Sequence, residues 1–577
     1  MNYMKKNKLH IGLLLSSIGM MIVLLASCKR YADIPPYFEP PGDTTKPASR
    51  KVLLIGIDGA VATEYKKLTL PVLQGMLTKS KYTWEGVSDE VTTDAAAWKT
   101  LMSGVSYSRH KIKDSTFVYS QSLGDPQHAS VPNFPSIFSY ILSSPRSDMR
   151  TSVISPWRTM VEKLVPEVLD PVVAVDDLAV KDSALKRIRT GNPDFMVVHF
   201  NSVAIAGKAG AFLADNTTYK DAAVKIDTYI GELLTALKAR AGYDKTEEWL
   251  VIVTSTHGGT GNTYGGPSAS EVGSFSVFYH EKFKQLEFVR SGFSGVAMKG
   301  TGSSVIRARI PDDGGLYNPG LAQQTISVKM KSPTKTQYPH FFSKMERFAS
   351  TTGWSLFTNS SGIWCLSVRG AGESRIQGTT PVVFDDKWHT VTFKFMDSAA
   401  KRWAVRYTDG LRIDHTDITA RGTVTSPSPL TMGWATDPTM GAVTVSFADC
   451  MIFNTALSDA EIAALQCSKD ITQHPRYANL IGYWPCGDGF GGRFLNKAPG
   501  ATNKDFVMEG AFTWDNYAEV PCSITPFQTT AGKAALFLKS VDVTVTSLYW
   551  LRMNILPVWS LEGSKWLETY EQEFVKL

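Results

Sequence analysis

From Lys51 the chain runs through "KVLLIGIDG", an unbroken apolar stretch that ends on a carboxylate, Asp58. A run of this kind is a strand covered on both faces. The same signature recurs in "DFMVVHF" and in "EWLVIVTSTHGG", which carries His257 at its end. Helical patterns lie between them: "PVLQGMLTKS", the loop-then-helix "DEVTTDAAAWKTLMSG", and the long amphipathic "YKDAAVKIDTYIGELLTALKARAG". Buried strands alternating with helices predict an α/β core whose sheet is mostly parallel. In such sheets chemistry collects beyond the carboxyl ends of the strands, where Asp58 and His257 both fall.

After about residue 300 the period changes. In "TISVKMK", Ile326, Val328 and Met330 alternate with Ser327, Lys329 and Lys331. "VTFKF" sets Val391, Phe393 and Phe395 against polar neighbours, and "WAVRY" and "VTVSF" behave alike. Period-two strands with frequent turn residues predict an antiparallel sandwich. The closing stretch "VTSLYWLRMNILPVWSLEGSKWLETYEQEF" returns to helical character. α/β material therefore flanks an all-β insert.

The N-terminus changes the compartment. Lys5, Lys6 and Lys8 precede the apolar "IGLLLSSIGMMIVLL", and "LLASC" closes on Cys28. This resembles a bacterial lipobox and implies lipidation at Cys28 and a membrane held through that lipid. An uncleaved anchor, or a plain signal peptide with an incidental cysteine, is the alternative. No other run is long and apolar enough to span a bilayer. The stretch "YADIPPYFEPPGDTTKP" is a tether. The expected location is the cell envelope, as an outer-membrane lipoprotein. "KRYAD" after Cys28 is not an acidic run, so the leaflet stays open.

Bulk composition narrows the rest. A chain of 577 residues holds two or three domains. The net charge of +6 includes Lys5, Lys6 and Lys8 in the expected leader, so little excess remains. There is no basic run, finger spacing or RNA-binding signature, which argues against nucleic acid as a partner. Cys365, Cys450, Cys467, Cys486 and Cys522 show no CxxC spacing, which argues against a zinc ribbon or a thioredoxin-like site. An exported chain permits disulfides, and an odd number leaves at least one thiol free. The pairing stays open.

The stretches "LLIGIDG", "AAAWKTLMSGVSYSRHKI", "VVHFNSVAIAGKAGAF" and "VIVTSTHGG" together resemble the alkaline-phosphatase superfamily, in its phosphodiesterase-like and sulfatase-like branches. The resemblance implies a mixed sheet sandwiched by helices. The stretches "DKWHTVTFKF", "WAVRYTDGLRI", "SPLTMGWA" and "FADCMIFNTALSDAEIAAL" resemble a laminin-G-like, concanavalin-type jelly roll. The combination is similar to exported lipoproteins of Bacteroidetes type. The expected boundaries are a signal peptide over 1–27, a lipidated tether over 28–49, and a first core part over 50–295. A jelly roll over 296–470, an accessory segment over 471–524 and a core completion over 525–577 follow.

The superfamily's chemistry implies two divalent ions side by side, activating a Thr, Ser or modified Cys nucleophile. Each ion takes several His or Asp ligands. Asp58 matches the first aspartate. The nucleophile position, counted back from Gly104, holds Asp94, a carboxylate in place of a hydroxyl; the adjacent Thr93 serves instead if the loop is shifted. The pattern of an aspartate, three residues and a histidine falls on Ala204 and Lys208. "STHG" keeps His257 but sets Thr256 at the aspartate position, and the last histidine position holds Tyr264. One ion site has thus lost its ligands, at Ala204, Lys208 and Tyr264. The other keeps Asp58 and His257, with Asp94 as a third. The expectation is no cofactor, or one residual divalent ion, zinc or similar, with Lys208 restoring positive charge between Asp58 and Asp94. His110 reads as structural, and His199 as a core histidine or a replacement ligand.

The jelly roll implies glycan or protein binding through exposed aromatics. Trp364 and Trp388 read as strand core, whereas Trp354 and Trp434 lie nearer turns and are the candidate sugar-stacking residues. No compact acidic loop suggests calcium. The sequence therefore points to an envelope lipoprotein with a catalytically degenerate scaffold, binding a glycan or glycoconjugate beside an outer-membrane uptake system. The rival readings are an active metal-dependent phosphodiesterase, phosphatase or sulfatase with an unorthodox site, and a structural partner in an envelope complex.

Overall fold

Alternation along the first strand, Ser49–Asp58, sets the architecture. Leu53, Ile55 and Ile57 point to one core beneath the helix Thr217–Lys238, while Val52 and Leu54 point to a second on the opposite face. Both faces are covered, which is why the run is continuously apolar. A computed structural model describes residues 48–119, 134–300, 305–333, 338–345, 351–433, 443–500, 504–524 and 530–574. The expected leader, Cys28, nearly all of the tether and Trp434 lie outside them. No helix among the described residues is long and apolar enough to cross a membrane.

The α/β sheet has nine strands. Across it the order is Lys533–Ala535, Leu286–Val289, Ser80–Val87, Gly273–Tyr279, Glu247–His257, Ser49–Asp58, Phe195–Phe200, Thr151–Ser155 and Asp170–Val173. It is mixed, because Gly273–Tyr279 runs antiparallel to both of its neighbours. The helices Asp94–Ser103 and Ser540–Trp550 pack together over the second core. Thr544 donates from Oγ1 to the Leu101 carbonyl at 2.5 Å, and Trp550 donates from Nε1 to the Lys51 carbonyl at 3.1 Å. The C-terminal segment therefore completes the domain that the N-terminal residues begin.

The insert is two antiparallel sheets, of seven and eight strands, enclosing a third core. The segment 471–524 does not stand apart from it. Leu480–Trp484 pairs with Thr444–Phe453 in one sheet, and Phe506–Glu509 pairs with Arg307–Ile310 in the other. A disulfide joins Cys467 to Cys522, while Cys365, Cys450 and Cys486 are free and buried. The polar stripe of "TISVKMK" does not face solvent. Lys329 is buried and its ammonium meets Asp449 at 2.7 Å, with Tyr483 and Ser523 bonded to the same carboxylate.

Trp354 overturns its expected role. It is 0% exposed, wedged edge-on between Phe342 and Phe393, and cannot stack on a sugar. Its strand, Gly353–Thr358, is buried along its whole length, so nearness to a turn was no guide to exposure. Trp364 is fully buried, and Trp388 is half-buried against Phe293 and Tyr517. Trp354→Ala is expected to destabilise the chain by about 3–5 kcal/mol through the cavity left behind. Urea denaturation of the purified variant measures it.

Candidate functional site

Period-two geometry assembles the site. Four neighbouring strands carry polar residues in their last two positions: Thr256 and His257, Asp58, His199, and Ser155. The even positions Leu250 and Ile252 share the second core with Val52, Leu54, Val153, Phe195 and Val197. Continuing each alternation brings Thr256, Asp58, His199 and Ser155 to that same face. The helix Asp94–Ser103 crosses this face and lays Trp98 there. Gly56 makes the space, since a Cβ on it would lie 2.4 Å from the Trp98 ring.

Asp58 is 2% exposed and carries three hydrogen bonds. Its Oδ1 accepts from Trp98 Nε1 at 2.9 Å and from Thr256 Oγ1 at 2.6 Å. Its Oδ2 pairs with His199 Nε2 at 2.6 Å. On the far side of that ring, Ser155 Oγ lies 2.8 Å from Nδ1 and accepts the Trp157 amide at 3.0 Å. Of the carboxylate's four lone-pair directions, protein donors take three. Burial opposes charge on His199, but the Asp58 carboxylate outweighs it and raises the ring above its ordinary value.

A second ring pair lies alongside. His257 Nδ1 faces the Gly258 carbonyl at 2.7 Å, so it must be the donor there. Nε2 meets Asp94 Oδ1 at 3.0 Å. A lone pair at Nε2 would be repelled by that carboxylate, so the ring holds a second proton and donates to it. Burial works against this charge, but the bond to Asp94 and the nearby Asp58 raise His257 overall. Burial pushes Asp94 up; the His257 bond, with Tyr264 and Lys208, brings it below its usual value. Tyr264 donates from its hydroxyl to Asp94 Oδ2 at 3.0 Å and stacks on His257 at 4.2 Å. Burial and Asp94 raise the Tyr264 phenol. Lys208 Nζ rests over the Tyr264 ring, 4.1 Å from its centre.

Asp58, Asp94, Ala204, Lys208 and Tyr264 thus line one pocket of about 210 Å³ with His199, Asn201 and Trp157. Ala204 and Lys208 are one turn apart on the helix Ser202–Ala209 and face it together. The expected link from Lys208 to Asp58 is absent. Lys208 forms no ion pair among the described residues, and His199 sits against Asp58 instead. Thr93 does not present its hydroxyl to the pocket. It caps the helix, accepting the Ala96 amide at 3.3 Å and donating to the Lys113 carbonyl at 2.6 Å. Thr92 is held between Gly265 and Gly266. His110 is structural, accepting the Ile112 amide on Nδ1 and bonding the Thr100 hydroxyl at 2.9 Å.

Fit to divalent ions divides the pocket. One ligand atom each from Asp58, Asp94 and His257 lie within 4.8 Å of one another, a spacing that suits a single cation. Such an ion would take His257 Nε2 from its second proton and use the one lone pair left on Asp58. The second site has a methyl group at Ala204, an ammonium at Lys208 and a phenol at Tyr264, which do not make a cation site. Trp98 and Ser155 escaped the sequence reading, although strand parity with Asp58 points at Ser155 and His199.

Residues 52–269 match the family described as type I phosphodiesterase / nucleotide pyrophosphatase, and residues 307–463 the concanavalin A-like lectin/glucanases superfamily. Residues 470–567 match a domain of unknown function. The chain therefore carries an alkaline-phosphatase-like domain and a concanavalin-like one. No curated protein matches it. Among solved structures, a 2-O GAG sulfatase is similar over 41% of this chain and 65% of its own, at 10% identity and TM-score 0.33. The binding domain of botulinum neurotoxin serotype D is similar over 29% and 41%, at 13% identity and TM-score 0.23. The binding domain of paraclostridial mosquitocidal protein 1 is similar over 33% and 48%, at 13% identity and TM-score 0.23. The chain spans less than two thirds of each.

The raised histidines and the lowered aspartate give the site an acidic optimum. The stabilisation from His199 and His257 is complete below about pH 6.5 and is lost as pH rises through their folded values. That from Asp94 is present above about pH 3.9 and is lost as pH falls through its folded value. Urea midpoints measured across this range are expected to fall on the alkaline side. His199→Gln is expected to flatten that fall, and an unchanged slope would remove His199 from the account.

Proposed function

We propose that the alkaline-phosphatase-like domain has lost two-cation ester hydrolysis and serves as a binding scaffold, carried with its lectin-like module on an envelope lipoprotein. One observation carries this reading: Trp98, Thr256 and His199 take three of the four lone-pair directions of Asp58, so at most one is left for a cation. A two-cation site needs its ligands free to coordinate, and most of what Asp58 can offer is committed to fixed protein donors. The substitutions Ala204, Lys208 and Tyr264 agree with it, as does the carboxylate of Asp94 at the position where the superfamily carries its hydroxyl nucleophile. In this reading the ligand is an extracellular glycan or glycoconjugate, and the partner is an outer-membrane uptake complex.

A second reading, a hydrolase of phosphate or sulfate esters with one cation, is favoured by the convergence of Asp58, Asp94 and His257 within 4.8 Å. The bound ion would supply Lewis-acid polarisation of an ester oxygen. The residues' own part would be to hold that oxygen at the pocket mouth, with Lys208 and Tyr264 flanking it.

Metal analysis of the purified chain separates the two. The scaffold reading expects far less than one equivalent of bound zinc, and no turnover of bis(p-nitrophenyl) phosphate or p-nitrophenyl sulfate above the level of His257→Ala. One equivalent of metal with turnover that His257→Ala abolishes would sink it. For the envelope assignment, Cys28→Ala is expected to move the chain from the membrane to the soluble fraction in cells and to abolish palmitate labelling.

A further inference from the structure

One opening between the two modules shares no lining residue with the Asp58 pocket. It is a cleft of about 810 Å³. One wall is Trp84 on the strand Ser80–Val87 of the α/β sheet. The other comes from the accessory segment, with Asp488, Phe490, Lys497 and Asp505. The loop "GDGFGG" that supplies Asp488 and Phe490 is held in place from both sides. Arg290 donates to the carbonyls of Gly487 and Asp488, and the Gly492 amide donates to Glu90 at 3.0 Å. Trp514 donates from Nε1 to the Gly491 carbonyl at 2.9 Å. Gly491 takes a φ of +66°, which a side chain would strain.

Within this built frame, several polar groups lack partners. Asp488 is only 5% exposed, yet its one hydrogen bond is a 3.4 Å contact from the Leu495 amide to Oδ2. Its Oδ1 has no partner among the described residues. A carboxylate so buried with one long hydrogen bond is short of donors, although Lys497 and Arg290 bring positive charge near it. Burial lifts its pKa to about 6. The half-buried Trp84 and the exposed Lys497, whose positive charge acts on Asp488, line the same cleft and hydrogen-bond no protein group through their indole N–H and ammonium among the described residues. An acceptor, two donors and two aromatic side chains therefore border one space.

We propose that this cleft binds an uncharged saccharide. Sugar hydroxyls donate and accept at once, so a diol meets a carboxylate and an ammonium together, while the C–H face of the ring rests on an indole. Charge excludes polyanions: Asp488, Asp505, Glu85 and Glu271 outnumber Lys497 and Arg290, and Arg290 is spent on backbone carbonyls. A peptide strand finds little edge to join, because both Ser80–Val87 and Gly273–Tyr279 lie inside the sheet, and Val87 is bridged to Lys539.

Isothermal titration of the folded chain after the tether tests the assignment with cellohexaose, xylohexaose and chitohexaose, and with a heparin hexasaccharide as the polyanion. At least one neutral oligosaccharide is expected to bind, and Trp84→Ala to weaken it by about tenfold. Asp488→Asn keeps the shape and is expected to weaken it as well, which guards against a folding defect in the tryptophan variant. His257→Ala is expected to leave binding unchanged. The assignment is overturned if no neutral oligosaccharide binds, if heparin binds more tightly, or if affinity ignores both cleft variants.

Discussion

A carboxylate at the buried end of a central strand must be met, and the surroundings of Asp58 are organised by that demand. Left bare in this setting, it would cost several kcal/mol. Two ions would answer the demand with mobile, exchangeable charge. Here it is answered by a tryptophan, a threonine and a histidine, each locked by packing. Trp98 needs the gap at Gly56, and its helix needs the Thr93 cap, whose hydroxyl is thereby used up. Beside it, Lys208, Tyr264 and His257 stack into a column that closes on Asp94. The substitutions read as separate losses along the chain are one compensating arrangement in space.

Much of this arrangement was legible in the sequence, and its omissions have physical causes. The apolar runs Val52–Ile55 and Leu250–Val253, which lead towards Asp58 and His257, identify their strands, because burial on both faces leaves them without polar interruption. The convergence of Asp58, Asp94, Ala204, Lys208 and Tyr264 follows from matching spaced motifs. The partner of Asp58 does not follow, because which cation approaches a carboxylate depends on side-chain direction. Lys208 has the right charge but lies over Tyr264 from the exposed end of its helix, whereas His199 points the right way from an adjacent strand. Trp354 misled for a related reason: proximity to a turn says nothing about which way a strand residue faces.

The accessory segment shows a different limit. Its strands are short and irregular, so no periodicity announces that it extends both sheets of the insert. Its contribution is also chemical. By covering Lys329 and Asp449 it converts an apparently solvent-facing stripe into an interior ion pair. The same segment then reaches back to the α/β domain through Glu90 and Arg290, so the two modules share a lined boundary.

The hydrogen bond from Trp550 to the carbonyl of Lys51 joins residues 499 apart in sequence. The first strand to be synthesised therefore gains part of its covering only from one of the last helices. Until the whole insert has emerged, the central sheet keeps an uncovered apolar face. Contacts of such long range slow folding and lengthen the exposure of sticky intermediates.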